Sequence, residues 1–141
     1  MKKVLLWIAI FCLLLLAVGV FYFKSRGPKI VQGTAVLCKS VDEEGKPINE
    51  VKTFSSKDTS ICVSAKLNKL FTKGVKVIWY KGDASVETRI KVDNNIKISK
   101  SNYAYSRLTI PEGFSEGEYT VNIYCANSDI SEATLYFKVE K

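Results

Sequence analysis

The chain contains no histidine and no Cys-x-x-Cys pair, and its first acidic residue is Asp42. Each absence narrows the chemistry. Histidine is the side chain most often used for acid–base catalysis near neutral pH and the commonest nitrogen ligand for zinc and copper. Without it, the usual zinc and copper ligands are missing outside thiolate sites. The cysteines are Cys12, Cys38, Cys62 and Cys125, and their wide, irregular spacing is not that of a ligand set. A nucleophilic cysteine would lack an imidazole to activate it. No metal, cofactor or enzymatic activity is therefore expected. Internal repeats and low-complexity tracts are also missing.

Charge is absent from one long stretch. Residues 4–23 read VLLWIAIFCLLLLAVGVFYF, twenty residues without a single charge. A helix of that length spans the ~30 Å hydrocarbon core of a bilayer. Trp7 falls near one interface and Phe21, Tyr22 and Phe23 near the other, in the manner of an aromatic belt. Gly27 and Pro28 then break the helix. A cleavable signal peptide could end at Ala17-Val18-Gly19, but the apolar run continues past that point to Phe23. A lipoprotein would need small residues before its cysteine, and Phe11 precedes Cys12. Cys12 thus reads as a free thiol within the span. A pilin-type start would need an acid inside the apolar run, and there is none.

The expected organisation is a short basic tail (1–3), a transmembrane signal anchor (4–23), a basic stalk (24–33) and one domain (34–141). Counting positive charges on either side of the span barely discriminates: Lys2 and Lys3 stand against Lys24, Arg26 and Lys29. A short basic start before a lone apolar segment favours a cell-membrane, single-pass protein with its C-terminal domain outside the cytoplasm.

The net charge of +7 suggests a nucleic-acid partner, but the suggestion does not survive division of the chain. Lys2, Lys3, Lys24, Arg26 and Lys29 carry five of the 21 cations, so the remaining sixteen face 14 acids for a net +2. Lysines scattered along strands serve mainly to keep sheet edges from pairing with strangers. No nucleic-acid partner is expected.

Beyond the span, alternation with period two dominates. Strands are expected at 30–39, 50–54, 61–67, 75–81, 86–92, 103–110, 118–125 and 133–139, with a short one at 96–98. Leu70 and Phe71 are expected to cap the core. Asp42, Glu43 and Glu44, and the run Asp93-Asn94-Asn95, are acidic or polar turns that lack the spacing of a calcium loop. Ile61, Val63, Ala65, Val77, Trp79, Tyr119, Val121, Ile123 and Phe137 fall on the apolar faces and form the expected core. Strands at this spacing argue for a β-sandwich.

Cys62 on one strand, Trp79 on a later one, Gly117-x-Tyr119 and Cys125, and a closing Tyr136-Phe137-Lys138-Val139 together resemble the immunoglobulin-like domains of bacterial and archaeal surface proteins. The resemblance covers roughly residues 61–139. It implies an all-β fold, an Ig-like antiparallel sandwich of seven to eight strands. It departs from the antibody pattern at the cysteines, because Tyr119 lies six residues before Cys125 rather than two. Cys62 and Cys125 are therefore not carried over as the inter-sheet bridge. In a sandwich of this kind Cys38 and Cys62 share the membrane-distal end. They are the expected disulfide, with Cys125 left as a free thiol.

Tyr80 alternates away from Trp79 and is expected to join Tyr103, Tyr105 and Tyr136 in an outer aromatic interaction surface. The expected function is a non-enzymatic binding or scaffolding module near the membrane, with the lipid bilayer and another protein or a cell-envelope polymer as partners. Two alternatives stand beside it. One is an accessory subunit of a cell-surface machine, pilus-associated or similar in layout to the archaellum stator proteins. The other is a carbohydrate-binding module.

Overall fold

A computed structural model describes residues 1–27, 29–68, 72, 74–125 and 128–141, excepting the side chains of 24–26. The chain opens with a helix, α1 (Lys2–Arg26), whose apolar side chains are uncovered by the rest of the protein. Its length and composition suit a bilayer crossing. The helix ends at Gly27, whose extended φ and ψ break the helical path.

The tether is shorter than the expected 24–33 stalk. Residues 24–26 continue the helix, and Ile30 already bridges Leu67. The Val31 N–H donates to the Lys66 carbonyl at 2.9 Å, and the Asn68 N–H to the Lys29 carbonyl at 2.9 Å. Only Gly27, Pro28 and Lys29 separate helix from domain, a reach of about 13 Å when extended.

Nine strands follow among the described residues: β1 (Val36–Val41), β2 (Pro47–Glu50), β3 (Thr53–Ser55), β4 (Ser60–Lys66), β5 (Val75–Lys81), β6 (Arg89–Ile96), β7 (Tyr103–Thr109), β8 (Gly117–Cys125) and β9 (Ala133–Glu140). They form two sheets, β2-β1-β4-β7 and β3-β9-β8-β5-β6. All pairings are antiparallel except β3 with β9.

Both sheets contribute to one core. Leu37, Ile61, Val63, Ala65, Ala104 and Leu108 come from the first; Val75, Val77, Trp79, Tyr119, Val121, Ile123, Phe137 and Val139 from the second. Ile61, Val63, Ala65, Val77, Trp79, Tyr119, Val121, Ile123 and Phe137 are all buried. The Phe137 ring stacks on Tyr119 at 5.0 Å and meets Trp79 edge-on at 6.0 Å, geometries that suit the ring quadrupole.

Several local expectations give way to tertiary effects: there are nine strands among the described residues rather than seven to eight, the strand expected at 86–92 begins only at Arg89, and no separate strand forms at 96–98 because β6 runs on to Ile96. The single strand at 50–54 is split, because the chain crosses between sheets at Val51 and Lys52, leaving β2 in one and β3 in the other. The first strand begins at Val36 rather than residue 30, since 31–34 turn tightly around Gly33, whose φ of 76° suits glycine. Asp93-Asn94-Asn95 is not a loop but the continuation of β6. Asp93 is held there because its carboxylate accepts from Ser106 and pairs with Lys91 at 3.2 Å. Asn95 absorbs the local irregularity at a φ of 55°. Leu70 and Phe71 lie outside the described residues.

Candidate functional site

Two features of the domain combine groups that could act on something else: a buried cysteine pair and an open sheet edge.

The cysteine pair is built by register. Cys38 and Cys62 are directly opposite in the β1–β4 pairing; Cys62 in turn faces Arg107 on β7, and Cys38 faces Glu50 on β2. The row Glu50–Cys38–Cys62–Arg107 thus crosses the whole sheet on its outer side, away from the core. Both thiols are free and wholly buried. An outer-face residue is buried only if something covers it: the Ile48 backbone of the β1–β2 hairpin reaches Cys38, and the Arg107 side chain lies against Cys62 Sγ. After Cys38, β1 leaves β4 and the hairpin folds back across the face. The Gly45 carbonyl accepts from Ser64 Oγ at 2.5 Å, and the Glu44 carboxylate accepts from the Ser101 N–H at 3.2 Å. Gly45 lies against Tyr105 and Tyr103.

The electrostatics of the pair are lopsided. The Cys38 thiol, whose Sγ also donates to the Cys62 carbonyl at 3.7 Å, stabilises the neighbouring Cys62 thiolate; burial opposes this, and Arg107, whose Nε donates to Cys62 Sγ at 3.4 Å, reinforces it with help from Lys91. The Cys62 thiol is lowered to about 6. Cys38 moves far in the opposite direction, because its proton is shared with Cys62, its site is dry and a neighbouring thiolate repels a second charge. The pair holds one proton tightly and releases the other readily. Directly opposite residues in an antiparallel pair have Cα atoms about 4.5 or 5.5 Å apart. Both spacings fall within the disulfide range of about 4.4–6.8 Å.

Cys125 is different. It lies in the core at the end of β8, opposite Val75. Burial first, and Glu132 second, push its thiol up to about 11. That makes it a poor nucleophile. Cys12 sits on the exposed surface of α1.

The expected tyrosine surface does not assemble. Tyr103 and Tyr105 lie on β7 in the first sheet, Tyr80 and Tyr136 on β5 and β9 in the second. Tyr80 is only 5% exposed, against 42% for Tyr105 and 70% for Tyr136. Alternation correctly turns Tyr80 away from the core, but it cannot reveal that neighbours cover that face. Burial foremost, with a hydrogen bond to Tyr124, raises the Tyr80 hydroxyl above its usual range. Trp79, the domain's one tryptophan, is fully buried, and its Nε1 donates to Ser106 Oγ at 2.8 Å.

The second feature was not foreseen from the sequence. A groove of ≈ 660 Å³ runs between the two sheets along one open side, with Ala35, Leu37, Val51, Ala133, Leu135 and Tyr136 among its lining residues. It exists because β3 covers only the last part of β9, pairing with Lys138, Val139 and Glu140. Residues 133–137 of β9 have a partner on the β8 side and no strand on the other among the described residues. Sequence patterning shows where strands are but not which edges remain open.

An apolar helix of membrane-spanning length followed by a two-sheet β domain defines the class of the protein. No protein-family profile matches the chain, and no curated protein is significantly similar in sequence. Among solved structures, the chain is similar to the soluble domain of PmoD from Methylocystis sp. ATCC 49242 (Rockwell), at 10% identity and a TM-score of 0.49, covering 82% of this chain and 100% of that one.

Proposed function

We propose that the protein is a membrane-tethered, extracytoplasmic β-sandwich of the immunoglobulin-like kind, working as a non-enzymatic binding or scaffolding module at the membrane surface. The observation that carries this reading is the tether. An uncovered apolar helix runs into the domain with only Gly27, Pro28 and Lys29 between α1 and the Ile30–Leu67 bridge. The domain therefore works within a short reach of the bilayer. Its partner is another membrane protein or a cell-envelope polymer close to that surface.

Connectivity supports the immunoglobulin-like assignment. The chain crosses from one sheet to the other between β4 and β5 and again between β7 and β8, and β3 lies parallel beside β9. The Tyr119 hydroxyl, near the start of β8, donates to the Ser115 carbonyl at 2.8 Å, as a corner tyrosine does. The Cys38–Cys62 pair is read as the disulfide of the exported protein. A protein partner is favoured over a sugar, because the tryptophan that would stack on a sugar ring is buried.

Two measurements test the reading. An engineered cysteine at exposed Ser115 should react with a membrane-impermeant maleimide in intact cells; labelling only after lysis would place the domain inside. Photo-crosslinkers at Tyr105 and Tyr136 should each be tried in intact cells. Failure of both to capture any envelope component would count against a scaffold.

A further inference from the structure

Every open sheet is a template for another strand, and proteins blunt the edges they do not use. Three edges of this domain are blunted. β2 has only four residues, begins with Pro47 and contains Asn49 at a φ of 56°. β6 pairs with β5 through two register shifts. The outer edge of β7 is occupied by contacts from β6, where Asp93 accepts from Ser106 and Lys91 Nζ donates to the Arg107 carbonyl.

Residues 133–137 of β9 have none of these protections. Their pairing with β8 is regular, without a shift, and contains no proline. The Lys138 N–H already points outward, donating to the Lys52 carbonyl at 3.3 Å. Alternation along a strand places the N–H and C=O of Tyr136 and Thr134 on that same outward side. Beside them lies the groove, whose floor includes Leu37, Val51 and Leu135. A strand laid there would continue the line of β3, which already pairs with the last part of β9.

We propose that this slot binds an extended segment of a partner protein by strand addition to the free edge of β9. Resting on the binding-module reading above, this names the partner's chemistry. Backbone hydrogen bonds to Thr134 and Tyr136 supply affinity. Alternate apolar side chains of the guest, entering between Leu37 and Leu135, supply selectivity. Glu50 and Lys52 also line the groove and favour a guest with a charged residue beside them. A second copy of the chain is a poorer occupant. Its own β9 is embedded beside β8, and the β1 wall of the groove obstructs a sheet entering edge-on.

The test uses the full chain in detergent micelles and a capped peptide of alternating valine and threonine with terminal lysines. Amide hydrogen exchange should slow at Thr134 and Tyr136 as peptide is added, with the β6 edge unchanged. Tyr136→Pro removes an outward N–H without touching the β8 ladder and should weaken binding at least about fivefold, the worth of one net hydrogen bond. Ala35→Arg, which narrows the groove from the β1 side, should also weaken it, while Tyr136→Ala should retain most binding. Unchanged exchange at saturating peptide, or slowing at the β6 edge instead, overturns the proposal. So does a peptide-free dimer that already protects both amides, since that assigns the edge to a second copy. A partner captured through Tyr105 while the β9 amides stay unprotected would retain the scaffold reading and remove strand addition.

Discussion

Oxidation of Cys38 and Cys62 should stabilise the domain strongly, and the size of the effect follows from their positions. The two residues are 24 apart in sequence and directly opposite in register. In the chain-entropy account, closing a loop of that length removes about 12 cal/mol/K from the unfolded state, or about 3.5 kcal/mol at room temperature. For a domain of roughly 110 residues, whose unfolding entropy is about 0.23 kcal/mol/K, that corresponds to a melting shift of about 15 °C. Register sets the Cα atoms at a spacing within the bridging range, and any strain in the bridge would reduce the gain. The assay is thermal unfolding by circular dichroism with and without reductant, run on the natural protein and on Cys38→Ala. Thiol counting by mass on the same samples fixes their redox state. Only the natural protein should lose stability on reduction, and its oxidised form should carry two thiols, Cys12 and Cys125. A bridged protein whose melting point does not move with reductant would refute the entropy argument. Four titratable thiols in protein recovered from an oxidising compartment would refute the pairing.

With both thiols reduced, pH becomes a lever. Cys62 is lowered from its ordinary 9.0 to about 6 in the folded protein. Its contribution is therefore present above pH 9 and lost as pH falls through about 6. Urea midpoints of the reduced protein should rise across that window, and Arg107→Gln should flatten the rise. Trp79→Phe deletes the Nε1 donor to Ser106 and should cost about 1–3 kcal/mol by urea denaturation; an unchanged midpoint would show the Trp79–Ser106–Asp93 chain to be dispensable. Tyr119→Phe removes the bond to the Ser115 carbonyl and should cost about 1 kcal/mol, read in the same titration. Gly113→Ala should destabilise more, because Gly113 holds a φ of 91° and its added Cβ would press on the Ser56 carbonyl; wild-type stability would show that the 110–114 turn can relax.

The tyrosines show why part of the surface was illegible. Period-two alternation states on which side of a strand Tyr80 and Tyr105 lie. Whether that side is wet depends on chain that arrives from elsewhere. The Asp93-Asn94-Asn95 run shows the converse. Its composition says loop, yet it continues β6 because Ser106 and Lys91 satisfy the carboxylate at the sheet margin.

The sequence by itself determined the membrane-length apolar helix, the β character of the rest and which side of several central strands is apolar. Each depends on local periodicity and on apolar area that must leave water or enter lipid. It also indicated Cys38 and Cys62 as the pair to watch. Tertiary structure alone decided that the tether is three residues long, that Cys38 and Cys62 are buried on the outer face of their sheet, and that β9 keeps an open edge beside a groove among the described residues. Those outcomes depend on which strands meet across the fold, and pairing partners distant in the chain leave no mark on the local pattern of either.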